Sequence, residues 1–156
     1  MENVYCCVFG HRKIEASIKL ETKLNEIFKN LIINKKVNYF LFGGFGEFDD
    51  LCHKIITKLK QQYANIKRIY VCEDYKFISR PQKRPKWLTS EDYEDFIYFE
   101  TRYTGFYQRI YFRNVEIINS SDYCVFYVSG NQKYSGAQKI FDYAVKKKKV
   151  LFNVFN

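Results

Sequence analysis

Val37-Asn38-Tyr39-Phe40-Leu41-Phe42-Gly43-Gly44-Phe45-Gly46-Glu47-Phe48-Asp49 is the stretch on which the fold turns. An apolar strand runs into a glycine turn, and a helix is expected directly behind it. Glycine lets a backbone take positive φ and lets a ligand come close to the main chain. The helix that follows offers unpaired N–H groups and the positive end of its dipole, a natural seat for phosphate.

The segments on either side repeat the pattern. Val4 to Phe9 is a continuous apolar run, as in a strand buried on both faces. After Gly10-His11-Arg12 the spacing predicts a helix of about twenty residues, with Leu20, Leu24, Ile27, Phe28, Leu31 and Ile32 on one stripe. Val37 to Phe42 is the second strand. Leu51, Ile55, Ile56, Leu59 and Tyr63 mark the second helix, and Ile66 to Cys72 the third strand. Strands alternating with helices predict βαβ units and a parallel sheet.

The C-terminal third repeats this order. Tyr107, Ile110, Tyr111, Val115 and Ile118 suggest a helix, Tyr123 to Val128 a strand, and Ala137, Ile140, Phe141, Ala144 and Val145 another helix. Val150 to Phe155 closes as a strand. Between Glu73 and Arg102 the pattern is weakest. Ser79 to Lys86 reads as a basic loop holding both prolines, Ser90-Glu91-Asp92 as the cap of a short helix, and Phe96 to Phe99 as a short extra strand. The expectation is one α/β domain over 1–156, a Rossmann-like three-layer sandwich with a mainly parallel sheet of about five or six strands.

Composition narrows the function. The net charge of +9 favours an anionic partner, although abundant Lys makes much of it ordinary solvated surface. Five cysteines, odd in number and without a CxxC pair, signal neither a disulfide framework nor a zinc site. They read as buried, reduced thiols. No apolar run is long enough for a membrane span, and the N-terminus lacks the pattern of a signal peptide, so a cytoplasmic location and no membrane partner are expected.

Ligands of open α/β sheets bind beyond the carboxyl ends of the strands. Three turns leave such ends: Gly10-His11-Arg12, Gly43 to Asp49, and Ser129 to Gly136. Their convergence would form one anion cleft. The expected ligand-binding set is Gly10, His11, Arg12, Gly43, Gly44, Phe45, Gly46, Asp49, Arg113, Asn114, Ser135 and Gly136. Arg12 offers a planar fork for phosphate and His11 a donor to phosphate or ribose oxygen. Arg109 and Arg113 share a helix face, and Tyr134 is a stacking candidate or a packing residue. Glu47, Asp49 and Arg113 are the catalytic candidates. Acids in a first helical turn suit the dipole with or without a ligand, and Asp49 has the chemistry to hold ribose hydroxyls or a divalent metal beside phosphate. No cluster of ligands marks a resident metal; the cofactor-class expectation is a nucleotide-type ligand, with a divalent metal beside it left open. His53 reads as packing or surface, and Lys146 to Lys149 as a solvated helix end.

These motifs resemble a known family. Phe9-Gly10-His11-Arg12, Gly43-Gly44-Phe45-Gly46-Glu47-Phe48-Asp49, Arg113-Asn114, Asp122 and Ser135-Gly136-Ala137 with Ala144 are similar, in order and spacing, to the SLOG superfamily. This Rossmann-like group contains the Lonely Guy phosphoribohydrolases and the DNA-processing protein Smf. Within it the chain looks like the YpsA-like branch, a domain of unknown function. The resemblance implies a site for a nucleotide or a nucleotide derivative, such as ADP-ribose or a cyclic nucleotide, at the glycine loop. That branch usually carries Gly-Gly-Thr where this chain has Ser135-Gly136-Ala137. Arg113 stands where Lonely Guy enzymes keep an arginine, but Lys139 and Ile140 fall where their glutamate would be.

Three functions are therefore expected, in this order: a binder of a nucleotide-derived anion serving as sensor, carrier or sequestering protein; a nucleotide N-glycosidase-type hydrolase; and a single-stranded nucleic-acid binder using the Arg80 to Lys86 loop. Aromatics from Tyr93 to Tyr111 would suit a homo-oligomer interface.

Overall fold

A computed structural model describes residues 2–43, 45–132 and 135–155. Six parallel strands form one sheet in the order β4-β3-β2-β1-β5-β6. They are β1 (Tyr5–Gly10), β2 (Tyr39–Phe42), β3 (Lys67–Val71), β4 (Asp95–Ile97), β5 (Tyr123–Tyr127) and β6 (Val150–Asn153). The helices are α1 (Ile18–Asn34), α2 (Glu47–Lys60), α3 (Lys76–Ser79), α4 (Phe106–Ser120) and α5 (Gly136–Lys146). The result is a Rossmann-like α/β sandwich.

Strand alternation divides the core in two. Along β1, Cys6 and Val8 join Leu24, Phe28, Phe48 and Ile56 of α1 and α2. Cys7 and Phe9 point the other way, toward Ile117 and Ile118 of α4 and Ile140 and Ala144 of α5. This period of two sandwiches the sheet between helix layers. Each fully buried ring such as Phe28 or Phe40 contributes about 1.5–3 kcal/mol of burial. All five cysteines are free and buried. Burial pushes the Cys6, Cys7 and Cys52 thiols well above their usual range, so they pack as small apolar groups.

The structure departs from the sequence pattern in four places. The first helix starts at Ile18, where Ser17 caps it by accepting from the Leu20 amide, so 11–17 is a loop. Ser90-Glu91-Asp92 forms a turn, with no helix behind it. The Asp92 carboxylate accepts from Thr89 instead, and its carbonyl meets His53. Pro81–Lys83 is a 3-10 turn with proline in its first turn, where a missing N–H is harmless. The largest difference is in α4, which buries Arg113, Asn114, Ile117 and Ile118 while Tyr107 is 83% and Tyr111 43% exposed. Polar groups with internal partners took the inner face from the aromatics.

The stretch between β3 and β4 also has a clear role. Tyr70, Cys72 and Leu88 form a third apolar cluster, with Phe77, Ile78, Tyr93 and Phe96 packed against it. The segment thus covers Tyr70 on the α2 side of β3, beyond the edge of that helix. It is pinned by Arg68, whose guanidinium donates to both Glu94 carboxylate oxygens, to Thr57 and to the Glu91 carbonyl.

Candidate functional site

Strand order reverses at β1. From there β2, β3 and β4 run to one side and β5 and β6 to the other, and the ends of β1 and β5 therefore diverge into loops with space between them. A cleft of about 540 Å³ lies there. Gly10, His11 and Arg12 reach it from β1, and Gly43, Phe45 and Asp49 from the turn after β2. Arg113 and Asn114 enter from α4, and Ser135 and Gly136 from the start of α5. Lys13, Gln132 and Ala137 also line it; Lys13 sits beside the His11-Arg12 pair and was legible by adjacency. Gly46 and Glu47 are not among the lining residues. Gly44 and Tyr134 lie outside the described residues.

Each wall has its own chemistry. On the α2 side the glycines are filled by the protein itself. A Cβ on Gly10 would sit 2.5 Å from the Phe48 ring, one on Gly43 2.7 Å from the Arg113 guanidinium, and one on Gly46 2.7 Å from the Arg12 Cα. Gly46 also has φ of 111°, a left-handed value that suits glycine. Its neighbours lock the turn: Asp49 accepts from the Phe45 amide at 3.0 Å, and Glu47 accepts from the Ile14 amide at 2.9 Å. The Glu47 amide in turn donates to the Arg12 carbonyl at 2.8 Å. Both carboxylates thus build the loop walls.

Arg113 works in the same way. It is 5% exposed and donates to the Gly43 carbonyl at 3.1 Å and the Val71 carbonyl at 3.3 Å. Its other arm donates to Asn114 Oδ1 at 2.9 Å, and Glu73 stands 3.5 Å away. Glu73 in turn accepts from the Tyr70 hydroxyl at 3.0 Å. Arg113 therefore ties the ends of β2 and β3 to α4, beneath the cleft. Arg109 pairs with Asp74 at 3.8 Å and does not line the cleft. The paired-arginine expectation is divided: one lines the site from below, the other lies outside it.

The α5 side is different. Ser135 caps the helix by accepting from the Gln138 amide at 3.0 Å, leaving the Gly136 and Ala137 amides ahead of the first helical bonds. Among the described residues beyond its chain neighbours and its own helix backbone, a Cβ on Gly136 would meet nothing within 4 Å. This wall has room for a guest.

His11 stands at the seam. Its Nε2 accepts from the Ser129 amide at 2.9 Å, so a neutral ring carries its proton on Nδ1. Nδ1 is buried and has no partner among the described residues. Burial lowers the His11 pKa, favouring this neutral form. An unpaired buried donor is costly, on the order of 1–3 kcal/mol. His53, by contrast, is packing: its ring lies 5.3 Å from Phe42 and its Nε2 meets the Asp92 carbonyl at 2.8 Å.

Two further expectations can be placed. Asp122 accepts from the Tyr5 amide at 2.9 Å at the opposite end of β1, a strand-end cap. In the basic loop, Arg84 stacks 3.7 Å over Phe96 and donates to the Phe77 carbonyl at 2.7 Å. Among the described residues no group of His, Cys, Asp and Glu is arranged to hold a metal ion, and no helix is long and apolar enough to cross a membrane. No protein-family model matches this chain, and no curated protein matches it.

Proposed function

We propose that the protein binds a nucleotide or nucleotide-derived anion in the cleft at the strand reversal, as a sensor, carrier or sequestering protein of the SLOG type. The observation that carries the reading is the meeting of three loops, those after β1, β2 and β5, at one cleft with an open helix start. Phosphate sits at the Gly136 and Ala137 amides, with Arg12 and Lys13 at the rim supplying positive charge. The neutral His11 ring supplies a donor that does not depend on a full charge. Calorimetry against nucleoside mono- and diphosphates, ADP-ribose and cyclic nucleotides tests this; no heat across the panel at millimolar ligand defeats it.

A second reading is catalytic. Asp49 is the carboxylate lining the cleft, and scission of an N-glycosidic bond needs a carboxylate near the developing oxocarbenium centre. Chromatography of nucleoside monophosphates after incubation decides it: without released base there is no glycosidase. The exposed Phe106, Tyr107 and Tyr111 on α4 support a homo-oligomer, which sedimentation of the protein would reveal or dismiss.

A further inference from the structure

A separate cavity of about 520 Å³ opens between the start of α2 and the 73–95 segment. Its walls are Phe45, Trp87, Tyr93 and His53, with the carboxyl-bearing Asp49, Asp50 and Asp92 and no Lys or Arg side chain. In a chain of net charge +9 such a lining runs against the general balance. Trp87 is 51% and Phe45 43% exposed, so both rings are reachable from solvent at the mouth of the cavity. The two rings stand edge to face with centroids 6.2 Å apart, while Tyr93 leans on His53 at 4.9 Å.

The carboxylates give the cavity its sign. Burial pushes the Tyr93 phenol upward, and the negative charges of Asp49, Asp92 and Asp50 push it further, against a smaller opposing effect of Arg68, which is paired with Glu94. No ion pair reaches Asp50 or Asp92 among the described residues. Aromatic faces and carboxylates together suit a soft, weakly hydrated cation, since ring quadrupoles and charge act in the same direction. A hard metal ion would need several oxygens converging on one point, an arrangement absent among the described residues.

We propose that this aromatic-walled cavity is a binding site for an alkylammonium cation, held against Trp87, Phe45 and Tyr93 and neutralised by Asp50 and Asp92. The site is distinct from the nucleotide reading and does not depend on it, although Phe45 and Asp49 border both spaces. A nucleotide panel that fails leaves this proposal standing, and the reverse also holds.

Trp87 is the chain's sole tryptophan, so its emission reports on the cavity directly. Choline and tetramethylammonium, titrated at constant chloride, are expected to give a saturable change in emission, with matching heat by calorimetry. The neutral isostere 3,3-dimethylbutan-1-ol is expected to give neither. Asp50→Asn, at an exposed position on α2, should weaken choline binding roughly threefold to tenfold while circular dichroism is unchanged. Trp87→Leu, followed by calorimetry, should weaken it at least as much. Equal binding of the isostere would reduce the site to a greasy hollow and overturn the proposal. So would an unaltered affinity in Asp50→Asn or Trp87→Leu, or an emission that never saturates.

Discussion

The two glycine turns facing the cleft look alike as strings of residues and behave oppositely in space. Around the α2 turn, Gly43 and Gly46, with Gly10 at the end of β1 beside them, each leave room that Arg113, Arg12 or Phe48 already fills. At the α5 turn, Gly136 leaves room that no more distant group among the described residues fills within 4 Å. The first set of glycines lets the protein approach itself; the second lets something else approach. A glycine after a strand therefore marks a close approach without saying which partner makes it.

The sharpest way to break this contrast is Arg113→Ala. Removing a buried guanidinium strands Glu73 and frees the carbonyls of Gly43 and Val71, so unfolding should become easier by about 3–5 kcal/mol. Denaturant melts measure it. A loss below 1 kcal/mol would make Arg113 a ligand clamp rather than a strut.

Gly10→Ala comes next. Its new methyl meets the Cβ, Cγ and Cδ2 of Phe48, atoms too near the backbone to swing away, and a cost of about 1–3 kcal/mol is expected. Pairing it with Phe48→Leu should recover part of that loss, a coupling that a double-mutant cycle reads. At the other turn, Gly136→Ala should stabilise by about 0.4–1 kcal/mol, because helix propensity improves and nothing collides. The same methyl enters the cleft, so affinity for any anion that binds there should fall. A stability loss at Gly136 would erase the distinction between the turns.

The gentlest effect is a pH slope. His11 has a folded pKa below its unfolded value because burial disfavours the charged ring. Its contribution is complete above the unfolded pKa near 6.5 and declines as pH falls toward the folded value. Melting temperature should drop through that window, and His11→Gln should flatten the slope there. A wild-type protein whose stability ignores pH in this range would mean that the ring is not locked neutral.

Much of the architecture was legible before any coordinates. The alternation of apolar strands with helical stripes predicted the parallel sheet, because burial on both faces leaves continuous runs such as Cys6 to Phe9. The three loop positions were legible as well, since βαβ units send their turns to one edge. Within 73–102 only a short strand near Phe96 was legible, seen as β4 over Asp95–Ile97; the packing of the rest was not. Its order comes from Arg68 meeting Glu94 and from Tyr70 meeting Leu88 and Tyr93 across the loop, and no local period records such contacts.

α4 shows the limit most clearly. Tyr107, Ile110, Tyr111, Val115 and Ile118 marked this helix; Ile118 is buried and Val115 packs on the core, yet Tyr107 and Tyr111 are exposed while Arg113 and Asn114 are buried. Periodicity counts apolar side chains, and it has no means of knowing that carbonyls of β2 and β3 stand ready to receive a guanidinium. The alternation of strands and helices, the parallel sheet and the ligand-facing edge follow from hydrophobic pattern and chain connectivity, and these the amino-acid string determined; the strand order came with the structure. Which glycines are filled, which cation is spent on internal bonds and where open space remains depend on groups far apart in the chain. Only tertiary packing, acting through close approach and the cost of burying unpaired charge, decided those.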